Sequence, residues 1–493
     1  MRRSSVISSC SENSKARRDD PPPGASDAAA ADGPRPNIIQ EDISIMSTWY
    51  ERGVFYHMYP LGMTGAPKHN DNTETANRFD ELNRWIPHIR SLGCSCLYIG
   101  PLFESSSHGY DTRDYRTVDR RLGDNAAFKE FVSLCHEQGI RVVVDGVFNH
   151  TGREFFAFKD IQEKRWDSPY KDWYRDVNFG CASPMGDSFS YQAWQGHFEL
   201  PCLNLKNPQV KDYLFDVIRF WIQEFAIDGI RLDCANVLDF DFMRELRRET
   251  AAMKEDFWLM GEVIHGDYGR WVNDEMLHSV TNYELHKSIY SGFNDHNFFE
   301  IAHNVRRLEA IGRRLYTFVD NHDEDRIASK LLKKEHLAPV YMCLMTLPGI
   351  PSIYYGGEWA IEGRRTRTSD DALRPAISLE DGEKFCSPLT DLIARLGKIH
   401  GENEALHGGL YKELLLTNRQ YAYARLGDGT AIITALNNDD APADLSIPVP
   451  IAADEAKNLL EDGPSIPITN GKIQLTIKGN WGAVLTVSSL PNH

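Results

Sequence analysis

No apolar run in this chain reaches the ~18 residues that a membrane span requires. Arg2 and Arg3 stand near the start, but only Val6 and Ile7 follow before polar residues resume. Neither a secretory nor a twin-arginine leader is therefore expected, and Cys10 lacks the apolar stretch that would accompany a lipid anchor. An excess of positive charge is missing too: 54 Lys and Arg against 71 Asp and Glu give −17. Such a surface repels phosphate backbones and anionic lipid, which excludes nucleic acid as an expected partner. A neutral polar substrate would feel no such penalty. The nine cysteines are odd in number and form no regular framework. That fits reduced, buried thiols in a cytoplasmic protein rather than a disulfide scaffold. Cys94 and Cys96 flank no matching Cys or His pair, so no zinc site is expected.

At 493 residues, 42% hydrophobic and 25% charged, the chain can bury a large core divided among more than one domain. Residues 1–45 are the exception. Pro21-Pro22-Pro23 and the alanine run 28–31 sit among Ser and Asp, a composition that cannot bury enough apolar surface to order itself. They read as a disordered N-terminal extension, with Met46 directly before the first ordered element.

Beyond it, short apolar runs alternate with amphipathic helices. Strands are expected at 54–59, 97–99, 142–144, 229–232, 258–260, 280–283, 315–319 and 352–355. Between the first two, Phe79, Leu82, Trp85, Ile86, Ile89 and Leu92 keep a 3.6-residue period that Gly93 stops. Asn207-Pro208 is an N-cap with proline at the first helical position. Eight apolar strands separated by such helices imply a parallel sheet closed into a (β/α)8 TIM barrel, over residues 46–148 and 206–402. Residues 149–205 break the rhythm. They carry Phe155, Phe156, Trp166, Trp173, Tyr174 and Trp194 without clear periodicity, and are expected as an inserted domain over the barrel's ligand-binding end. From 403 to 493 the period becomes two, with a turn at Gly427-Asp428-Gly429, as in an antiparallel β-sandwich domain.

Four acids fall at or just past strand ends: Asp145 in the run to Asn149-His150, Asp233 after Arg231-Leu, Glu262 after Trp258-Leu-Met-Gly, and Asp323 after Asn321-His322. Strand ends of this kind converge on the top of a barrel. Converging carboxylates need cations, protons or a polar ligand to be tolerable. Glycoside cleavage fits that inventory, since one carboxylate attacks the anomeric carbon while another, protonated, supplies the leaving oxygen. Arg231 lies two residues before Asp233, on the same side of one strand, and is expected to hold it ionised. Glu262 has no cationic neighbour in sequence, which predicts a raised pKa suited to a general acid. His150 and His322 are candidate donors to sugar hydroxyls.

These four segments resemble the signature regions of the α-amylase family of glycoside hydrolases (family 13), over essentially the whole chain after Met46. The resemblance implies Asp233 as nucleophile, Glu262 as acid/base and Asp323 as transition-state stabiliser. It makes Tyr110, in Ser107-His108-Gly109-Tyr110, the ring that stacks on the sugar, with His150, Arg231 and His322 as further binding residues. Asp145 would support Arg231, and Asn149 and His108 belong to the same motifs. Leu200-Pro201-Cys202-Leu203-Asn204 resembles a fifth region, and with Asp233-Cys234-Ala235-Asn236 it is similar to the neopullulanase, cyclomaltodextrinase and maltogenic amylase group. The implied substrates are maltooligosaccharides, cyclodextrins or related α-glucans, cleaved at α-1,4 and conceivably α-1,6 bonds with no cofactor for the chemistry. Three departures stand out. Residues 1–45 cannot supply that group's N-terminal β domain, which leaves the oligomeric state open. Asn236-Val237 replaces a Lys-His pair of many α-amylases, and with it one ligand of their usual calcium site. Cys202 replaces a lysine or aspartate and leaves bond preference open.

Blander readings compete residue by residue. Asp145 alone could cap a strand, and His108 or His150 alone could be structural. The aromatics of 155–198 could form the insert's own core. Cys202 and Cys234 read as packing residues near the site. Asn70, Asp71, Asn72 and Glu74 could bind calcium but read better as a solvated loop. Two rival functions remain: a transglycosylase, in which a sugar hydroxyl replaces water, and a non-catalytic, transporter-associated barrel. The latter typically loses acids of the triad, whereas Asp233, Glu262 and Asp323 are all present.

Overall fold

Parallel strands covered on both faces must be apolar on both, and the apolar runs of this chain do close on themselves. The computed structural model describes residues 47–71, 75–385 and 387–490. The N-terminal extension, Asn72 and Glu74 lie outside them. Eight strands form the barrel: β1 Phe55–Met58, β2 Cys96–Ile99, β3 Arg141–Gly146, β4 Gly229–Leu232, β5 Trp258–Gly261, β6 Ser279–Val280, β7 Tyr316–Phe318 and β8 Ile350–Tyr354. They pair in parallel in the order β6-β5-β4-β3-β2-β1-β8-β7. A parallel bridge from Thr281 to Tyr316 joins β6 to β7 and completes the ring.

Side chains on alternate positions divide between two cores. Phe55, Tyr98, Val143, Trp258, Met260, Tyr316 and Phe318 fill the barrel's interior, with the Phe55 and Trp258 rings 5.0 Å apart. Leu97, Val142, Val144, Ile230 and Leu259 point outward into the shell of helices. The helix Phe79–Ser91 follows the expected period, burying Phe79, Leu82, Trp85, Ile86 and Ile89. Asn207 caps Pro208–Phe225 by accepting from the Gln209 N–H. Among the described residues no helix is long and apolar enough to cross a membrane.

Two strand expectations are corrected. The sixth strand stops at Val280, because the Asn282 side chain accepts from the Leu285 N–H and starts the helix Tyr283–Asn294 instead. The eighth begins at Ile350, two residues early, and includes Pro351, a residue that normally argues against a central strand.

The insertion after β3 is not without regular structure. A nine-residue helix, Phe156–Lys164, and a short hairpin, Ala193–Trp194 with His197–Pro201, lie inside it. Phe155, Trp173, Tyr174, Phe189 and Tyr191 are buried as its core, whereas Phe156 and Trp166 are exposed. The chain closes with eight antiparallel strands between Leu410 and Ser488. Ile433 and Leu485 pack in one cluster with Leu445 and Ile473, so this sheet folds over on itself.

Candidate active site

The period of two positions the site. Val143 faces the barrel interior, so Asp145 does too; Trp258 and Met260 do, so Glu262 follows one rung above. Strand register then sets neighbours. Asp145 pairs with Arg231, and Arg231 with Met260, which leaves Asp233 and Glu262 side by side at the open ends of β4 and β5.

Arg231 is the hub. Its Nη1 donates to Asp145 at 2.9 Å and to Asp233 Oδ1 at 2.8 Å, while Nη2 lies 2.8 Å from Glu262 Oε2. The expectation that Glu262 lacks a cationic neighbour is therefore wrong. Its partner is one strand away in space and 31 residues away in sequence, where a reading of neighbours along the chain does not look. The pKa of Glu262 is nevertheless raised, to about 7. Burial is the largest cause, and the Asp233 and Asp323 charges add to it against the pull of Arg231. Burial also raises the Asp145 carboxyl, which Arg231 opposes and to which the Tyr98 hydroxyl donates at 2.8 Å.

Asp323 lies just past the end of β7. His322 Nε2 is 3.0 Å from its Oδ2 and Arg374 Nη2 donates to its Oδ1 at 2.8 Å. Burial alone would raise this carboxyl, but its contacts with His322 and Arg374 outweigh it and hold it well below the ordinary range. Tyr110 lies against the same histidine, its hydroxyl 2.5 Å from His322 Nε2 and the rings nearly parallel at 5.7 Å. His150 is buried. Asn149 Nδ2 faces its Nδ1 at 3.2 Å, its Nε2 has no partner among the described residues, and burial lowers its pKa.

The structure thus brings Asp145, Arg231, Asp233 and Glu262 into one set of direct contacts, and Tyr110, His322 and Asp323 into another. His108 is not among them. It is half-exposed, accepts from the Tyr110 backbone N–H through Nδ1 at 3.2 Å, and otherwise faces Asp111. Asn70 is no solvated loop residue either: it is buried, donating to Glu104 Oε1 at 3.1 Å.

Two residues make contacts at the site that the sequence did not assign to them. Arg374 lies in a loop after β8, 51 positions beyond the Asp323 it contacts, and its Nε also donates to the His322 carbonyl at 3.0 Å. Cys234 follows the nucleophile candidate and was read as packing. Its Sγ donates to Asp233 Oδ2 at 3.0 Å, and its backbone N–H donates to Glu262 Oε2 at 3.0 Å. One ligand atom each of Asp233, Cys234 and Glu262 lie within 4.8 Å of one another, close enough for a cation. The Arg231 guanidinium, in contact with both carboxylates, opposes a cation there.

The model of the alpha amylase catalytic domain matches residues 79–384. The chain belongs to the alpha-amylase family of glycoside hydrolases. It is 31% identical over 430 residues to a cyclomaltodextrinase of Thermoanaerobacter pseudethanolicus, covering 82% of this chain and 73% of that one. To neopullulanase 2 of Thermoactinomyces vulgaris it is 30% identical over 481 residues, 91% and 80% of the two chains. Among solved structures, the debranching enzyme of Nostoc punctiforme superposes with a TM-score of 0.76 at 26% identity, over 89% of this chain and 99% of the other.

In this alpha-amylase family member Arg374 is a clamp on Asp323, stacked over the Tyr59 ring at 4.7 Å. Arg374→Ala is expected to lower kcat by roughly 10²-fold, the scale of losing one preorganised charge contact to a reacting site. Steady-state rates on a chromogenic maltooligoside check this, with Arg374→Lys recovering part of the loss. A kcat within twofold of wild type in Arg374→Ala would show that Asp323 does not depend on the clamp.

Proposed function

We propose that this enzyme is a retaining α-glucan hydrolase acting on maltooligosaccharides, cyclodextrins or related α-glucans at α-1,4 bonds. Asp233 attacks the anomeric carbon, Glu262 protonates the leaving oxygen and then activates water, and Asp323 stabilises the oxocarbenium-like transition state. Tyr110, His150, Arg231 and His322 hold the sugar at the point of cleavage. The observation that carries this reading is that the two carboxyls are side by side: one oxygen of Asp233 and one of Glu262 lie within 4.8 Å of each other, and Arg231 contacts both. Retaining enzymes keep the two carboxyls about 5–5.5 Å apart, whereas inverting ones leave room for a water at roughly 6.5–9.5 Å. The names of the cyclomaltodextrinase and neopullulanase relatives support the substrate class. In the proposed division of labour, residues 46–148 and 206–402 form the catalytic barrel, 149–205 roof it as an inserted domain, and 403–493 form a C-terminal β domain.

The decisive experiment is a time course on maltoheptaose, β-cyclodextrin, pullulan and starch, with the anomer of the first product followed by NMR. Rapid opening of cyclodextrin with α-anomeric product supports the reading. Early β-anomer would overturn retention, chains longer than the input would make the enzyme a glucanotransferase, and no product from any α-glucan would remove the substrate class.

Protonated Glu262 is needed for the first step, and its raised pKa of about 7 leaves about half of it protonated at neutral pH, where an ordinary carboxyl is ionised. The kcat/KM profile should therefore fall on the alkaline side of about pH 7. Glu262→Gln should lose that limb, and should lose far less activity on a substrate whose leaving group needs no proton. A flat profile to pH 9 in the wild type would refute the assignment.

A further inference from the structure

Cys234 touches both carboxyl groups of the proposed pair, and it does so through a backbone shape that a side chain rarely adopts. Its φ is 50° and its ψ 36°, the left-handed region that favours glycine. Strain of this kind persists only where the surroundings impose it, and it gathers at functional sites. Here its effect is geometric. The turn lets one residue aim its N–H at Glu262 Oε2 and its thiol at Asp233 Oδ2, each at 3.0 Å. Burial, and next the Asp233 charge, push the thiol well above its ordinary range, so the proton stays on sulfur and the group is a donor. Asp233 Oδ1 is already taken by Arg231, so the thiol supplies the hydrogen bond to the second oxygen.

We infer that Cys234 is a positioning residue of the reaction, fixing the spacing and orientation of Asp233 and Glu262 by donating to both. The inference rests on the reading of these two groups given above.

Three variants separate thiol, backbone and fold. Cys234→Ala removes only the donor, Cys234→Gly also relieves the left-handed strain while keeping the N–H, and Cys234→Ser keeps a donor of similar size. The measurement is kcat/KM against pH, beside a thermal unfolding curve for each. Cys234→Ala should lose about fivefold in kcat/KM at the optimum, the scale of one modest hydrogen bond to a charge, with the loss in kcat and KM little changed. Cys234→Ser should return kcat to near wild type. Cys234→Gly should share the kinetic defect of Cys234→Ala at higher thermal stability, which a purely structural role for the side chain would not produce. Superimposable profiles for wild type, Ala and Gly would overturn the inference. If Cys234→Ala does not fold, the Ser and Gly pair decides it. Asp233→Asn is run alongside: if that variant is inactive and Cys234→Ala is unchanged, only the role of Cys234 falls, whereas an active Asp233→Asn removes the reading beneath it.

Discussion

Asp233→Asn is expected to abolish turnover while leaving the sugar-binding surface in place. The change keeps size and shape but removes the charge to which the proposed mechanism gives the attack on carbon, and loss of a covalent-catalysis residue costs about 10⁴-fold or more in kcat. At roughly 1.4 kcal/mol per decade, that is about 5.5 kcal/mol of transition-state stabilisation. The geometry favours a clean result. Asp233 contacts Arg231 through one oxygen and the Cys234 thiol through the other, and an Asn carbonyl can still accept from either. Asp145 continues to hold Arg231, so the hub stays put. Stopped assays on a chromogenic maltooligoside should read near background, while calorimetry with maltoheptaose should give an affinity close to that of the parent. Near-normal turnover in this variant would sink the assignment of the nucleophile.

The second large effect is on stability and lies at the opposite end of the same strand. Asp228, just before β4, is fully buried and accepts from His136 Nε2 at 2.7 Å, Arg141 Nη1 at 2.8 Å, Lys254 Nζ at 2.7 Å and the Val142 N–H at 2.8 Å. Burial would raise this carboxyl, but these donors outweigh it and hold it well below the ordinary range. Asp228→Asn leaves a cluster of cationic side chains without their shared counter-charge. Breaking such a buried arrangement by removing one partner costs about 3–5 kcal/mol. The lower end applies, because Arg141 and Lys254 are partly exposed and can turn to water. Urea unfolding should show the loss as a lower midpoint with an unchanged slope, and kcat at a temperature where the variant is folded should stay near wild type. The pH dependence follows from a depressed folded-state pKa. The contribution of Asp228 is present above the unfolded carboxyl value of about 3.9 and is lost as pH falls through the lower folded value. A variant as stable as the parent at pH 7 would mean that these contacts carry no net stabilisation.

Much of this site was legible in the chain. Apolar runs of strand length, four of them ended by an acid, gave both the barrel and the end at which its acids gather. A period of two, counted outward from Val143 and Trp258, is enough to turn Asp145, Arg231, Asp233 and Glu262 to the interior. Helix ends were equally readable where one residue makes its own cap, as at Asn207, and misread where a capping Asn282 was taken as strand. These are local properties, fixed by stereochemistry within a few residues.

What the chain by itself determined, then, is the order of elements, the inward face of each strand and the identity of the acids. Only the tertiary structure decided which groups share a charge. Glu262 meets Arg231 because β4 and β5 are in register, and Asp323 meets Arg374 because a loop far along the chain folds back over β7. The physical reason is range. Side-chain direction is set by neighbouring dihedrals, but desolvation and Coulomb energy depend on distance in space, whatever the separation along the chain. The raised pKa of Glu262 shows the difference most clearly: it was expected from a missing cation, and it arises from burial and two neighbouring carboxylates in spite of a cation in contact.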